Sequence, residues 1–316
     1  MPRMARVFVT RRLVGDALDR LRAAGHELDV WHGAEPPTPA ELTEHSQQAD
    51  ALLCTLSDRI DAAFLDANPQ LKAIANYAVG LDNIDLVAAH GRGIPVGNTP
   101  DVLTDATADI AFALLLAAAR RLPQAAQAVK DGGWGTWRPD GHLGADLVGA
   151  TLGIVGAGRI GKAVAKRAAG FDMRILQTTS RGGTPLPELL AQSDFVSLHV
   201  PLTPQTHHLI DAAALKRMKP TAFLVNTARG RVVDQRALID ALHAGEIAGA
   251  ALDVTDPEPL PPDHPLLQAP NVLVLPHIGS ATTRTRATMA ELAVDNVLAG
   301  LAGEPLPHPA PLPAAP

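Results

Sequence analysis

The chain is short of several things at once, and each shortage closes a class of function. It has one cysteine, Cys54, in 316 residues. A single thiol can form neither an intrachain disulfide nor a cysteine-based zinc site. Its place in the apolar run Ala51-Leu52-Leu53-Cys54 reads as a small core residue. Aromatic residues make up 3 % of a chain that is 47 % hydrophobic, so the core must be built from Ala, Val, Leu and Ile. Basic residues are not in excess: 27 Lys and Arg stand against 33 Asp and Glu, a formal charge of −6 that argues against a nucleic-acid partner. Long apolar runs are missing too. The run Ile110 to Ala119 falls short of the ~20 residues that span a bilayer, and Met1 to Arg6 lacks a signal-peptide core. His199, His207 and His208 have no acidic partners at metal-ligand spacing, so no metal site is expected. The expectation is a cytoplasmic protein with no membrane association.

What is present is alternation. Short apolar strands at Arg6–Thr10, Leu28–Trp31, Ala51–Leu56, Leu71–Ala75 and Ile94–Val96 are separated by helical patterns, the first with Val14, Leu18 and Leu21 on one face. A second series follows at Met173–Gln177, Phe195–Val200, Ala222–Asn226, Ala250–Asp253 and Val272–Leu275, with helices starting near Leu186, Asp211 and Asp234. Asp211 and Asp234 carry acceptors suited to a helix start. Strand and helix in alternation mean a parallel sheet covered on both faces. The length suggests two such domains. The expected fold is α/β, two doubly wound parallel-sheet domains, flavodoxin-like and Rossmann, with an active-site cleft between them. The first would be residues 1–98 plus 286–316, the second residues 99–285. A helix over 102–121, apolar nearly all round, needs burial on more than one side; it is either wedged between domains or packed on a second subunit. The Pro-rich tail from Pro305 is expected to be mobile.

Within the second series one stretch carries chemistry. The strand Leu152–Val155 meets Gly156-x-Gly158-x-x-Gly161, and an amphipathic helix follows at once. A strand turning sharply into a helix leaves unpaired amide donors and a partial positive charge at the helix start, and glycines let the backbone approach a pyrophosphate. Gly156, Gly158 and Gly161, with Arg159 and Ile160, therefore predict a bound dinucleotide. About 20 residues beyond these glycines an NAD-selective fold places Asp or Glu on the ribose hydroxyls. Here Gln177-Thr178-Thr179-Ser180-Arg181 holds no acid. Ser180 and Arg181 suit a 2′-phosphate instead, so NADP(H) is preferred, with NAD(H) left open. Three ionisable residues follow strand ends, where doubly wound sheets bind ligands: Arg229, Glu258 and His277. An arginine fork binds carboxylate, a histidine exchanges a proton near neutral pH, and a carboxylate orients it. From spacing alone, each could equally be a polar loop residue.

The segments Asn226-Thr227-Ala228-Arg229-Gly230, Leu252-Asp253-Val254 through Pro257-Glu258-Pro259-Leu260, and Pro276-His277-Ile278-Gly279-Ser280-Ala281-Thr282 stand in that order after the glycine turn. They resemble the signature segments of the D-isomer-specific 2-hydroxyacid dehydrogenases. Ser57-Asp58-Arg59-Ile60-Asp61, Gly132-Gly133-Trp134-Gly135-Thr136-Trp137 and His264-Pro265-Leu266-Leu267 resemble the glyoxylate/hydroxypyruvate reductase branch. The resemblance implies that His277 donates the proton, Glu258 orients it and Arg229 grips a 2-oxo acid. It implies that Val79 and Gly80 offer amides to the substrate carboxylate, that Leu56 lies near the substrate, and that Trp137 reaches a neighbouring subunit's pocket. Val200, Pro201, Thr206, Thr227, Ala228, Asp253 and Gly279 would line the cofactor. The all-round apolarity of the 102–121 helix favours packing on a second subunit, and with Trp137 it gives an expected homodimer through the 102–145 region. The implied activity is reduction of glyoxylate or hydroxypyruvate to glycolate or D-glycerate. The alternatives are a D-lactate-type or phosphoglycerate-type dehydrogenase, and a non-catalytic dinucleotide-sensing protein similar to the carboxyl-terminal-binding corepressors.

Overall fold

The computed structural model describes residues 4–311. It divides into two compact units, Met1–Leu103 with Ala281–Pro316, and Thr104–Ser280. Both divisions fall about five residues from the expected ones, for a local reason. Asn98 and Thr99 still donate their amides inside the first unit, to His308 O and Ala78 O at 3.1 and 3.0 Å. The return to that unit begins where Thr282 caps the last helix.

The first stretch of the first unit runs β1 (Arg6–Val9), α1 (Ala17–Ala23), β2 (Glu27–Val30), α2 (Pro39–Gln47), β3 (Ala51–Cys54), α3 (Ala62–Ala67), β4 (Ala73–Asn76), α4 (Leu86–Gly91) and β5 (Val96–Gly97). The strands are all parallel, in the order β2-β1-β3-β4-β5, which is the flavodoxin-like arrangement. β3 (Ala-Leu-Leu-Cys) and β4 (Ala-Ile-Ala-Asn) are buried on both faces and read as apolar runs broken only by Asn76 for that reason. Side chains end the loops into the helices. Thr38 closes a capping box with Glu41, and Asp61 and Asp85 accept from the third residue of α3 and α4.

The second unit runs α5 (Thr104–Ala119), α6 (Leu122–Lys130), β6 (Thr151–Val155), α7 (Arg159–Ala169), β7 (Arg174–Thr179), β8 (Gly182–Gly183), α8 (Leu186–Gln192), β9 (Phe195–Leu198), α9 (Ala212–Arg217), β10 (Phe223–Asn226), α10 (Gln235–Ala244), β11 (Gly249–Leu252) and β12 (Val272–Val274). The order is β12-β11-β10-β9-β6-β7-β8, parallel except for the antiparallel pair β7–β8. The direction of winding reverses between β6 and β9, so ligands are expected at the carboxyl ends of those strands. Asp211 and Asp234 cap α9 and α10 as their side chains predicted. Much of the apolar surface of α5 is buried within this unit, where it packs on α7 and against β10 and β11, while Ile110, Leu116, Ala117 and Ala118 stay half-buried and Ala113 exposed. Beyond it, α11 (Thr283–Ala302) belongs to the first unit, where it lies on β3 and β4 and beside α1.

Two expectations fail, each for an identifiable cause. Val14 is not on the first helix. It is exposed, three residues before α1, and Ala17 with Leu21 forms the buried (i, i+4) pair instead. The Pro-rich tail is not loose as far as residue 310. Leu306 is buried, Pro309 makes an antiparallel bridge with Gly97, and Ala310 N donates to Val96 O at 2.7 Å. Proline cannot donate, but it is tolerated at a sheet edge, where its neighbours supply the bonds. The last helix thus ends in a strap across the open side of β5. Removing most of a buried leucine costs about 2 kcal/mol or more through lost transfer and the cavity left behind. Leu306→Ala should therefore lower the urea midpoint measurably, and an unchanged midpoint would show that the strap is not held.

Next to the winding reversal, His199 follows β9. Its Nε2 lies 2.9 Å from Ser197 Oγ and its Nδ1 is buried without a partner. Burial lowers its pKa from 6.5 to about 4. The unfolded chain therefore takes up this proton first. The stability tied to neutral His199 is complete above about pH 6.5 and is lost as pH falls toward 4, a span worth on the order of 3 kcal/mol. Denaturation of His199→Gln followed between pH 7 and 4 should show a flatter acid loss than the parent. Parallel curves would contradict the assignment.

Candidate active site

The glycine turn is shaped by contacts, not only by freedom of rotation. Gly156 has φ +98°, and a Cβ there would meet His199 backbone and Val200 Cγ1 at 2.7 and 2.9 Å. Gly161 packs against Gly156 O, where a Cβ has no room. Gly158 is different: a Cβ would project into open space. α7 starts at Gly158 with no side-chain cap, while α9, α10 and α11 are capped by Asp211, Asp234 and Thr282. An eleven-residue helix with an open, uncapped start beside a glycine fits an anionic pyrophosphate. Val200 lies against this turn, and Pro201 follows it in the chain. Thr206, expected on the cofactor, has its hydroxyl committed to the turn: Oγ1 donates to Pro201 O at 2.6 Å and accepts from Thr203 N at 2.8 Å.

At the end of β7, Ser180 and Arg181 form an exposed hairpin tip. Thr179 Oγ1 pins it by donating to Gly182 O at 3.0 Å and accepting from Arg181 N at 3.1 Å. The tip therefore has a defined backbone, and the Arg181 guanidinium has no ion-pair partner among the described residues. An unpaired cation and a hydroxyl, where an NAD-selective fold carries an acid, fit a 2′-phosphate.

β10, β11 and β12 are neighbours, so the loops at their carboxyl ends sit side by side. The first loop is Asn226 to Gly230. Asn226 ties it at both ends, accepting from Ala228 N at 3.0 Å and donating to Arg229 O at 2.8 Å. Arg229 is half-buried and donates to Ala228 O at 2.8 Å, Thr227 has a buried hydroxyl with no partner, and Ala228 is half-buried beside it. Gly230 touches the Thr255 backbone so closely that no side chain fits, which locks this loop to the next. In that second loop Thr255 Oγ1 donates to Pro257 O at 2.8 Å, fixing the turn that carries Glu258.

The third loop holds His277, in the left-handed region at φ +53°. A non-glycine residue is held there only when its surroundings insist. Asp253 supplies the insistence. Its two carboxylate oxygens accept from Ile278 N and Gly279 N, both at 2.7 Å, and its carbonyl accepts from His277 N at 3.0 Å. Burial raises the Asp253 pKa, with the two amides and the His277 charge pulling the other way. Asp253 and Gly279, both expected on the cofactor, thus make the loop's own frame. Gly279 N is already given to Asp253, and Thr107 Oγ1 donates to Gly279 O at 3.3 Å. The frame aims His277 at Glu258, with Nδ1 to Oε1 at 2.5 Å and both side chains partly exposed. A carboxylate only accepts, so Nδ1 carries the hydrogen and Nε2 is left to exchange a proton with a ligand.

In the first unit, Leu56 is exposed just past β3, and Val79 and Gly80 are half-buried just past β4. Trp137 is 79 % exposed in a loop with no regular structure. Asn226, Thr255 and Thr107 were missed by sequence reasoning. Asn226 had a signal, since Asn at a strand end favours a turn that its own side chain closes; Thr255 closes its turn on Pro257, two residues on, and Thr107 acts through Gly279, far away in the chain. No group of three or more His, Cys, Asp or Glu side chains able to hold a metal exists among the described residues, and no described helix is long and apolar enough to cross a membrane.

An imidazole oriented by a carboxylate and an arginine on the same strand-end edge, in a sheet that also carries a glycine turn suited to a dinucleotide, define a pyridine-nucleotide-dependent oxidoreductase. The family model for the D-isomer specific 2-hydroxyacid dehydrogenase NAD binding domain matches residues 112–279, and the chain belongs to that dehydrogenase family. A glyoxylate reductase from Korarchaeum cryptofilum is 51 % identical, across 96 % of this chain and 95 % of its own. The human glyoxylate reductase/hydroxypyruvate reductase is 47 % identical, across 96 % and 97 %. The crystal structure of an NADPH-dependent glyoxylate/hydroxypyruvate reductase from Sinorhizobium meliloti, in complex with NADP and malonate, superposes with a TM-score of 0.84 at 35 % identity, covering 97 % of this chain and 96 % of that one.

General acid catalysis contributes roughly 10²–10⁴-fold. His277→Gln should lower kcat by about that factor while dinucleotide fluorescence titration gives an unchanged Kd. Glu258→Gln, which keeps an acceptor for Nδ1–H but removes the charge that favours the imidazolium, should fall between. Full activity in His277→Gln would remove it as the proton donor.

Proposed function

We propose that the protein reduces glyoxylate and hydroxypyruvate to glycolate and D-glycerate, with NADPH preferred over NADH. The observation that carries the reading is the Glu258–His277 contact at 2.5 Å on the same strand-end edge as Arg229. The identity of about half the chain to glyoxylate reductases supports the substrate class. The dinucleotide, when bound, supplies a hydride to the carbonyl carbon. Gly158, Arg159 and Ile160 would hold its pyrophosphate, and Thr227, Ala228, Val200 and Pro201 would flank it. Arg229 binds and polarises the 2-oxo acid through its guanidinium fork. His277 Nε2–H donates its proton to the oxygen as negative charge grows there, and Glu258 stabilises the imidazolium before transfer. The amides of Val79 and Gly80 take the substrate carboxylate, and Leu56 borders it.

A homodimer through residues 102–145 belongs to the same proposal. Trp134 and Trp137 are 71 and 79 % exposed, and Leu143 is exposed with them. Trp supplies large contact area with a polar handle, which suits a subunit interface better than open solvent. Trp137 would then reach the partner's substrate pocket and favour small acids.

Initial rates for glyoxylate, hydroxypyruvate and pyruvate, each with NADPH and NADH, test the proposal directly. Pyruvate preferred over the other two would move the protein to a lactate-type activity, and no turnover on any of them would leave a sensing role. For the nucleotide, a charge-assisted hydrogen bond is worth about 1.5–3 kcal/mol. Arg181→Ala should thus raise KM for NADPH by about tenfold or more and leave NADH nearly unchanged. Equal effects on both nucleotides would defeat the phosphate clamp.

A further inference from the structure

Past β4 the chain turns through Ala78, Val79, Gly80 and Leu81, and three successive carbonyls are bound from behind. Ala78 O accepts from Thr99 N at 3.0 Å. Val79 O accepts from Asn98 Nδ2 at 2.9 Å, and Gly80 O from Asn76 Nδ2 at 2.8 Å. In a trans peptide the N–H points opposite to its own C=O. Pulling three carbonyls inward therefore turns the amides of Val79, Gly80 and Leu81 outward together. None of these amides has an acceptor among the described residues. Successive outward amides form a concave anion site.

The two asparagines that do the pulling are themselves fixed. Asn76 is fully buried at the end of β4, and its side chain also meets Asn83 and the Cys54 thiol. Asn98 is 7 % exposed. Its carbonyl accepts from Asn296 Nδ2 at 3.1 Å, and Asn296 Oδ1 accepts from His308 N at 3.0 Å. Asn98 N in turn donates to His308 O. A buried asparagine is costly unless its amide is used. At both positions the Nδ2 donor goes to the same short turn.

We propose that Asn76 and Asn98 are positioning residues that orient the Val79–Leu81 amides toward the carboxylate of the 2-oxo acid. This rests on the reading of the protein as a 2-oxo acid reductase. Neither asparagine touches substrate; each acts through a peptide plane. Asn98→Asp keeps the shape but replaces the donor with an acceptor facing Val79 O, so that peptide is repelled and its amide swings away.

The test compares Asn98→Asp, Asn98→Ala and Asn76→Asp with the parent enzyme, reading KM and kcat for glyoxylate, Kd for NADPH, and Kd for oxalate by calorimetry on the NADPH complex. Expected is a rise of roughly tenfold or more in glyoxylate KM and oxalate Kd, the loss of one hydrogen bond to a charged group, with kcat and NADPH Kd within about threefold. Leu306→Ala is the structural control: it loosens the strap that holds His308 without removing either donor, so it should lower the melting temperature and leave KM alone. An unchanged KM and oxalate Kd in the asparagine variants overturns the proposal. So does a KM rise in Leu306→Ala that matches theirs, because stability alone would then explain it. If the parent enzyme turns over no 2-oxo acid, the reductase reading fails by itself. The oxalate titration still decides whether these asparagines build an anion site.

Discussion

The Asp253 carboxylate is the interaction on which the reacting end of this protein depends. Two amides on one carboxylate, at 2.7 Å each, force the chain after β12 through a left-handed residue, and that residue is His277. Without the clamp the loop would relax toward an ordinary φ and carry the imidazole away from Glu258. Removing a buried acceptor would also strand two amide donors, at about 1–3 kcal/mol apiece. The arrangement explains why the carboxylate is buried despite the rise in pKa that burial brings: as the anion it gives each amide an accepting oxygen of its own, whereas an asparagine would turn its own N–H donors toward one of them.

Parallel sheets make this economy possible. Because β10, β11 and β12 run the same way, three short loops reach one edge with Arg229, Glu258 and His277 on them, and the loops brace each other. Gly230 lies against Thr255, and Asp256 N donates to Gln235 Oε1 at 3.0 Å. Sites on such loops are positioned by the strands beneath, so the residues between strand end and functional side chain matter as much as the side chain.

Much of this was legible from residues with local causes. The turn from Gly156 to Gly161 announces itself by spacing between a strand and a helix, and Asp211 and Asp234 cap helices because their acceptors reach only three residues along. Val14 misled because period alone cannot say where a helix starts; Gly15, at φ +86°, interrupts the pattern before α1. The tail misled because proline content speaks against donation, not against being held by Leu306 and Ala310. The work of Asp253 was invisible for a different reason. Its partners are 25 and 26 residues away, so no local pattern separates an acid that touches a ligand from one that shapes a loop.

The same distinction runs through both units. At the ends of β4 and β11 alike, a buried polar side chain is bonded to the backbone of the loop that carries the candidate contact groups, Asn76 to Gly80 and Asp253 to Gly279. The chemical sense is opposite in the two places. Asparagine donates to carbonyls and so turns amides outward, which suits an anion. Aspartate accepts amides and so turns them inward, leaving the loop to present a side chain. Which residue type sits behind a strand-end loop thus decides whether that loop offers its backbone or its side chain. A carboxylate at position 98 would be wrong, and so would an amide at 253, for the same electrostatic reason read in two directions.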